Sequence, residues 1–299
     1  MTRRTFRRAR KYFLFSIPLL LCAAVQAFAF PRLGTLAVYD ALRAVEAEIA
    51  ECVGERTVSF YYESLETGME YKHNEEARYR SASTTKLPVV LAAYQMAAEG
   101  RLNLEGEVEY IEEEFWHDGS GRIRYAEDGT LYTFRELVWH AVHFSDNVAY
   151  KMLRAENDWY MHPYIRRINA VFVNEFNAGE VAVYMREVYR FAKDNGELGA
   201  EFLSFFVNTY FESRIPAALP HLKVAHKIGS WTVEEIYHDA AVVFDEDPYV
   251  LVIMTYGEEN NNSSFFVELT ELLHKRHLLL HEARRNAITE NSLISKEVF

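Results

Sequence analysis

Three short groupings in this chain combine a hydroxyl or an amine with a partner at fixed spacing: Ser83-Thr84-Thr85-Lys86, Ser145-Asp146-Asn147 and Lys227-Ile228-Gly229-Ser230. A serine hydroxyl is a weak nucleophile until its proton is removed, and a lysine desolvated beside it can act as the base. Ser83 and Lys86 are three residues apart, so on a helix they share a face. Pro88 is excluded from a helix interior, so the helix is predicted to begin near Ser83, with Pro88 in its early turns. In the second grouping, the Ser145 hydroxyl can relay a proton to a leaving group, and the Asn147 amide can hold a substrate carbonyl. In the third, Lys227 supplies charge for a substrate carboxylate. Gly229 lets substrate backbone approach a strand edge, and the Ser230 N–H can complete an oxyanion hole. Each grouping alone also has a plainer reading, as a helix cap or a strand end. Each occurs once, in this order, which a set of unrelated caps would not require.

The supporting elements follow from hydrophobic periodicity. Residues 34–53 read as an amphipathic helix ending near Gly54. Thr57 to Tyr71 reads as a hairpin turning at Glu66-Thr67-Gly68. Leu87 to Ala98 is helical, and 101–130 is acidic and glycine-punctuated, read as a long surface connection. Phe134 to Leu153 is helical with a break at Ser145, and 154–177 is irregular. Gly179 to Lys193 and Leu198 to Tyr210 read as two more helices. Leu222 to Lys227, Asp239 to Phe244 and Val250 to Tyr256 are β-type runs, and Phe265 to Ala283 is a closing helix. Strands at both ends and helices between them predict an α/β chain of the α+β kind. An antiparallel sheet flanked by helices (about 30–80 and 215–285) would accompany an all-helical lobe (about 81–214), with a cleft between the two.

With these residues in place, the chain resembles the penicillin-recognising active-site serine hydrolases, class A β-lactamases above all. The resemblance covers roughly residues 34–283. It extends to Arg80-Ser81-Ala82 before Ser83, to Thr133-Phe134-Arg135-Glu136-Leu137 leading to Ser145-Asp146-Asn147-Val148-Ala149, and to His238-Asp239-Ala240-Ala241-Val242. It implies that Ser83 is acylated, with Lys86 as its proton partner. By the same likeness Ser145 passes a proton to the leaving nitrogen and Asn147 holds the substrate amide. Lys227 would steer the carboxylate, and the N–H groups of Ser83 and Ser230 would form the oxyanion hole. Two departures bear on turnover. Class A enzymes deacylate with a glutamate in an E-x-x-x-N setting, and residues 148–180 contain none; Glu156 and Glu175 lack the context. The middle of the third motif, a hydroxyl residue in the family, is Ile228 here, which cannot hydrogen-bond a carboxylate.

Composition narrows the remaining choices. With 299 residues, 49% hydrophobic and 25% charged, the chain is neither fibrous nor disordered. A formal charge of −12 argues against nucleic-acid binding. Arg3, Arg4, Arg7, Arg8, Arg10 and Lys11 precede an apolar run, Tyr12 to Val25, and then Ala27-Phe28-Ala29. This predicts a signal peptide, residues 1–29, cut after Ala29. Thr2-Arg3-Arg4-Thr5-Phe6 is also similar to a twin-arginine leader. The mature domain, 30–299, is then expected to be secreted or periplasmic, more acidic still, without a membrane span, and monomeric. Cys52 would be its only cysteine, so no intrachain disulfide is expected.

No cofactor or metal is implied. His274, His277 and His281 have ligand-like spacing but read as a solvated or half-buried helix face. His140 and His143 read as ordinary core or surface residues. Glu112-Glu113-Glu114 reads as a solvated loop, with Phe115 and Trp116 as a cleft rim. The expected partner is a small β-lactam or a cell-wall peptide. The function that the motifs imply is hydrolysis of a β-lactam or related amide. The alternatives are a D-alanyl-D-alanine carboxypeptidase or slow penicillin-binding protein, and a non-catalytic module that binds wall fragments or a partner.

Overall fold

The computed structural model describes residues 37–155, 174–260 and 263–297, with side chains to residue 288. The expected leader and Glu156 lie outside the described residues. The chain divides into two compact units, Cys52–Glu271 and the terminal stretches up to Glu51 and from Leu272. All the candidate site residues belong to the first.

Five antiparallel strands form the sheet of that unit, in the order β2-β1-β9-β8-β7. They are β1 (Thr57–Ser64), β2 (Glu70–His73), β7 (Lys223–Trp231), β8 (Ile236–Phe244) and β9 (Tyr249–Tyr256). The hairpin, the three late strands and their antiparallel pairing agree with the sequence reading. β8 and β9 are buried along nearly their whole length, which is why they read as continuous apolar runs rather than alternating ones. β7 pairs with β8 in unbroken register, Lys227 opposite Ala240 and Gly229 opposite His238. β7 continues to Trp231. The third motif therefore lies inside an edge strand, not at the end of a run finishing at Lys227.

The intervening helices are α2 (Lys86–Ala98), α3 (Glu112–Phe115), α4 (Phe134–His143), α5 (Asn147–Ala155), α6 (Ala178–Asp194), α7 (Gly196–Ser204) and α8 (Ile215–Ala218). Two of their starts are written locally. Thr133 with Glu136, and Asn177 with Glu180, form complete capping boxes at α4 and α6. α2 is apolar all round and is buried from Lys86 to Met96, so it serves as the axis of the helical part. Tyr94 on α2 stacks on Phe202 of α7, ring centroids 4.4 Å apart. α7 ends at Ser204 rather than reaching Tyr210; turns follow, and Phe206 is still buried.

Residues 101–130 are not merely a surface connection. Leu104, Val108, Tyr110, Phe115 and Ile123 are buried, and β4 (Glu107–Glu109) pairs with β5 (Leu131–Thr133). Single apolar residues spaced among acids carry no periodic signal, so this anchoring is not visible in the sequence. Phe115 is core rather than rim.

In the terminal unit, residues 37–51 lie in the first helix, α1, and the last helix is α9 (Ser263–Glu297). Lys275 pairs with Glu48 at 2.8 Å and Arg276 with Glu46 at 2.8 Å. His274, His277 and His281 stack in a ladder, with centroids 5.8 and 6.3 Å apart. His274 and His277 are buried, so this face is less solvated than the sequence suggests. Among the described residues no helix is long and apolar enough to cross a membrane, and no group of His, Cys, Asp and Glu is placed to hold a metal.

Candidate active site

The segment that carries Ser83 turns sharply before it becomes a helix. Ala82–Thr85 forms a single 3-10 turn, after which α2 runs on from Lys86 with Pro88 as its third residue. Pro88 thus removes only an N–H that the helix start would leave unpaired. Ala82 enters this turn at φ +43°, a left-handed conformation that strains a side chain with a Cβ. Both the Thr84 N–H and its hydroxyl donate to the Ser81 carbonyl, at 3.0 and 2.6 Å, and pin the turn. The result brings Lys86 Nζ to 2.8 Å from Ser83 Oγ. Lys86 is only 2% exposed. Burial pushes its ammonium down from 10.5 to about 7, against the opposing pull of Asp146. Near neutrality a large share of Lys86 is therefore the free amine, with a lone pair for the Ser83 proton. Lys86 Nζ also donates to the Asn147 amide oxygen, at 2.7 Å.

Ser145-Asp146-Asn147 occupies the break between α4 and α5. Ser145 takes φ +53°, which stops one helix and starts the next. Asp146 is fully buried and accepts four backbone N–H groups. Its Oδ1 serves Val148 and Ala149, at 2.9 and 3.0 Å, capping α5. Its Oδ2 serves Arg122 and Ile123, at 2.6 and 2.9 Å, tying down the 117–123 loop. Gly121 in that loop has φ +127°, and a Cβ there would meet the Asp146 carboxylate at 2.2 Å. Asp146 is thus the structural member of the motif, while Ser145 meets Lys227 and Asn147 meets Lys86.

The edge strand closes the arrangement. Lys227 Nζ donates to Ser145 Oγ at 2.8 Å and to the Ile228 carbonyl at 3.0 Å. Burial, reinforced by Lys86 nearby, holds its ammonium well below its ordinary value; Asp239 opposes this and Arg214 adds to it. The His226 N–H points away from β8, to the Phe206 carbonyl at 2.9 Å. In an unbroken antiparallel ladder the Ser230 N–H shares that direction, towards the outer edge of the strand. Gly229 also serves the packing of its own chain. A Cβ there would lie 3.1 Å from Thr84 Cγ2, 3.2 Å from the Ser81 carbonyl and 3.3 Å from the Thr84 nitrogen. The missing side chain makes room for the Ala82–Thr85 turn itself. Gly229→Ala should therefore push that turn by a few tenths of an ångström. The expected result is about 1–2 kcal/mol lost in denaturant unfolding and an acylation rate about tenfold lower. An unchanged rate would refute the contact.

These residues line a cleft of about 830 Å³, with Ser83, Lys86, Asn147 and Ser230 on its wall. Lys227 and Ser145 are buried just behind them. The structure so gathers every site residue named from the sequence around one turn. It also adds residues the sequence reading missed. His117 and Tyr150 line the cleft. Lys86 Nζ lies 5.4 Å from the centre of the Tyr150 ring, over its face. Arg214 reaches Ser230 Oγ at 2.7 Å and the Gly229 carbonyl at 3.3 Å. Trp231, beside Ser230, carries Arg80 over its ring. Only Trp231 had a sequence signal, its adjacency to the third motif. Behind the strand, buried His226 bridges Asp239 at 2.9 Å and Glu212 at 3.2 Å. Burial opposes its charge, but the two carboxylates prevail and hold it up at about 9. Glu175 stands outside the cleft on β6 (Glu175–Phe176), exposed and paired in register with Arg80 of β3 (Tyr79–Arg80). His140 and His143 are half-buried beside Trp139 and Phe144, as read.

A mixed helix-and-sheet fold with a serine, two lysines and an amide around one turn defines a penicillin-recognising type of serine hydrolase. Residues 38–276 match the model of the β-lactamase enzyme family, and the chain belongs to that family. Solved structures with the same fold include PBP-A, at 18% identity and a TM-score of 0.68, covering 78% of this chain and 95% of that one. A β-lactamase from Sphaerobacter thermophilus matches at 19% identity and a TM-score of 0.69, over 78% of this chain and 96% of that one. A PBP-A mutant solved as an acyl-enzyme complex with penicillin G matches at 18% identity and a TM-score of 0.68, over 78% of this chain and 96% of that one. Among curated proteins, none matches the sequence.

Proposed function

We propose that this chain is an exported serine hydrolase that opens a β-lactam or a related amide through an acyl-enzyme on Ser83. The 2.8 Å contact between Ser83 Oγ and the buried, easily deprotonated Lys86 carries this reading. Ser83 Oγ attacks the carbonyl carbon while its proton passes to Lys86 Nζ. The carbonyl oxygen gains negative charge facing the N–H groups of Ser83 and Ser230. When the C–N bond breaks, the Ser145 hydroxyl gives its proton to the nitrogen and takes one from Lys227 Nζ, which donates to it at 2.8 Å, while Lys86 holds the proton of Ser83. Asn147 holds the amide of the substrate side chain. Lys227 and Arg214 supply positive charge for the substrate carboxylate, a task in which the apolar Ile228 takes no hydrogen-bonding part.

A second reading, a slow penicillin-binding protein or D-alanyl-D-alanine carboxypeptidase, is favoured by the acids of the cleft. Among the described lining residues the one acid is Asp118, and its side chain is 85% exposed. That is a poor setting for activating a deacylating water. The two readings share the acylation step and part at hydrolysis. Incubation with a chromogenic cephalosporin, followed by colour and intact mass with Ser83→Ala as control, separates them. Sustained colour is the expected result. A lasting mass adduct with little colour would move the assignment to the slow binder. A folded sample giving neither adduct nor colour would leave a non-catalytic binding module.

A further inference from the structure

The loop that follows α3 places His117 on the cleft wall beside Asn147. His117 Nδ1 receives the Gly119 N–H at 2.8 Å and lies 3.3 Å from Asn147 Nδ2. A ring nitrogen that receives a backbone N–H carries no proton of its own, so the neutral ring holds its hydrogen on Nε2. The opposite end of the Asn147 amide, Oδ1, receives Lys86 Nζ at 2.7 Å, and Lys86 meets Ser83 at 2.8 Å. The four side chains form one continuous line from the loop to the nucleophile. The loop is built close around it. A Cβ on Gly119 would lie 2.2 Å from Asn147 Nδ2 and 3.0 Å from the His117 ring. Arg124 grips the Gly119 carbonyl at 2.6 Å and also holds the Asp118 carbonyl.

We propose that His117 is a positioning residue: by accepting from Asn147 Nδ2 it holds the Asn147 oxygen on Lys86, and so aims the Lys86 amine at Ser83. An amide is nearly symmetric in shape, and only its partners decide which end faces which way. A bare Nδ1 shares its one lone pair between the Gly119 N–H and the Asn147 NH₂, and it would repel the amide oxygen in the place of that NH₂. A protonated Nδ1 demands the oxygen, which would turn the NH₂ towards Lys86, donor against donor. Protonation of His117 therefore misaims the base. Burial lowers the affinity of His117 for that proton; Asp118, with Oδ1 3.5 Å from Nδ1, opposes this, while Lys151, Lys86 and Arg124 add to it. The switch accordingly falls on the acid side of the ordinary histidine range and of Lys86 itself.

This inference rests on the acylation proposed above, and its test is arranged so that either can fail alone. In the full chain, ¹⁵N resonances of the His117 ring are followed with the side-chain NH₂ of Asn147 from pH 5 to 8. Nδ1 should read as an unprotonated acceptor at pH 8, and the Asn147 NH₂ should shift with the His117 midpoint. A proton on Nδ1 at pH 8, or an Asn147 signal indifferent to that midpoint, overturns the proposal whether or not the chain is an enzyme. In parallel, Ser83 acylation by benzylpenicillin is timed by intact mass. On the acid side of the His117 midpoint the rate should fall with two protons in the wild type, one on Lys86 and one on His117. His117→Gln, which keeps an acceptor but cannot titrate, should fall with one. His117→Ala should be slower by about fivefold at pH 8, the worth of one neutral hydrogen bond. Equal slopes in wild type and His117→Gln overturn the proposal, and so does an unchanged His117→Ala rate. No Ser83 adduct in the wild type at any pH overturns the acylation reading instead, leaving His117 to be decided by the spectra.

Discussion

Lys86→Ala is expected to abolish acylation of Ser83, with a fall of about 10³-fold or more in the rate of adduct formation, while the chain stays folded. The size follows from the role. A positioned base contributes about 10²–10⁴-fold, and Lys86 is the amine that touches Ser83 Oγ. The same burial fixes the pH dependence. Lys86 accepts a proton from Ser83 only as the free amine, the form above about pH 7. Acylation should therefore level off above pH 7 and fall below it as Lys86 takes up a proton. Stability responds to pH in the same direction as activity, but over a higher window. An unfolded lysine keeps its proton up to about 10.5, whereas the folded one loses it near 7. Between those values the unfolded state binds more protons, so this group costs stability increasingly as pH drops from 10.5 to 7. Lys86→Met removes that cost. It should be inactive yet melt about 2–6 °C higher at pH 7, provided the methionine fills the space. Mass-resolved acylation and thermal melts at pH 7 and 10 check both halves. Retained acylation in Lys86→Ala would take Lys86 out of the mechanism, and a lower melting point for Lys86→Met would contradict the burial argument.

The three motifs were legible because each packs its chemistry into four residues or fewer, a span over which local geometry decides what faces what. Ser83 and Lys86 needed only one turn to meet, and Pro88 marked where it starts. The order of elements was legible for a similar reason: β1, α2, α4 and the three late strands carry strong periodicity or long apolar runs. What stayed hidden depends on partners far away in sequence. Arg214 reaches Ser230 only because the loop before α8 folds back on β7. His117 sits among acids in a stretch with no periodic pattern, and only the folded loop brings it to Asn147. Gly229 is named from the sequence for substrate approach, and the packing role it has in the fold is not legible there. Its absent side chain is filled by Thr84 and the Ser81 carbonyl, a contact between residues about 145 apart that no local pattern records. The edge of β7 was also misplaced by four residues, because Gly229 and Ser230 weaken a strand signal that the pairing with β8 overrides.

Asp146→Ala should be the most destabilising single change at the site, by about 4–6 kcal/mol. Removing the carboxylate leaves four backbone N–H groups without their acceptor. Those of Ile123, Val148 and Ala149 belong to buried residues that water does not reach readily. Each orphaned donor costs about 1–3 kcal/mol, discounted where the loop can relax to admit water. Asp146→Asn keeps the shape but turns a donor towards donors, so about half that loss is expected. The charge has a separable effect. Asp146 holds the Lys86 ammonium up against the pull of burial. Without it the Lys86 proton leaves at a lower pH, and the acid limb of acylation should move below 7. Stability then reports the four hydrogen bonds, and the midpoint of the limb reports the charge. In Asp146→Asn, folded at low temperature, the midpoint should shift even though much of the structure survives. A loss under about 1 kcal/mol for Asp146→Ala would mean the 117–123 loop finds its own partners. An unmoved midpoint in Asp146→Asn would mean that Lys86 is tuned by burial alone.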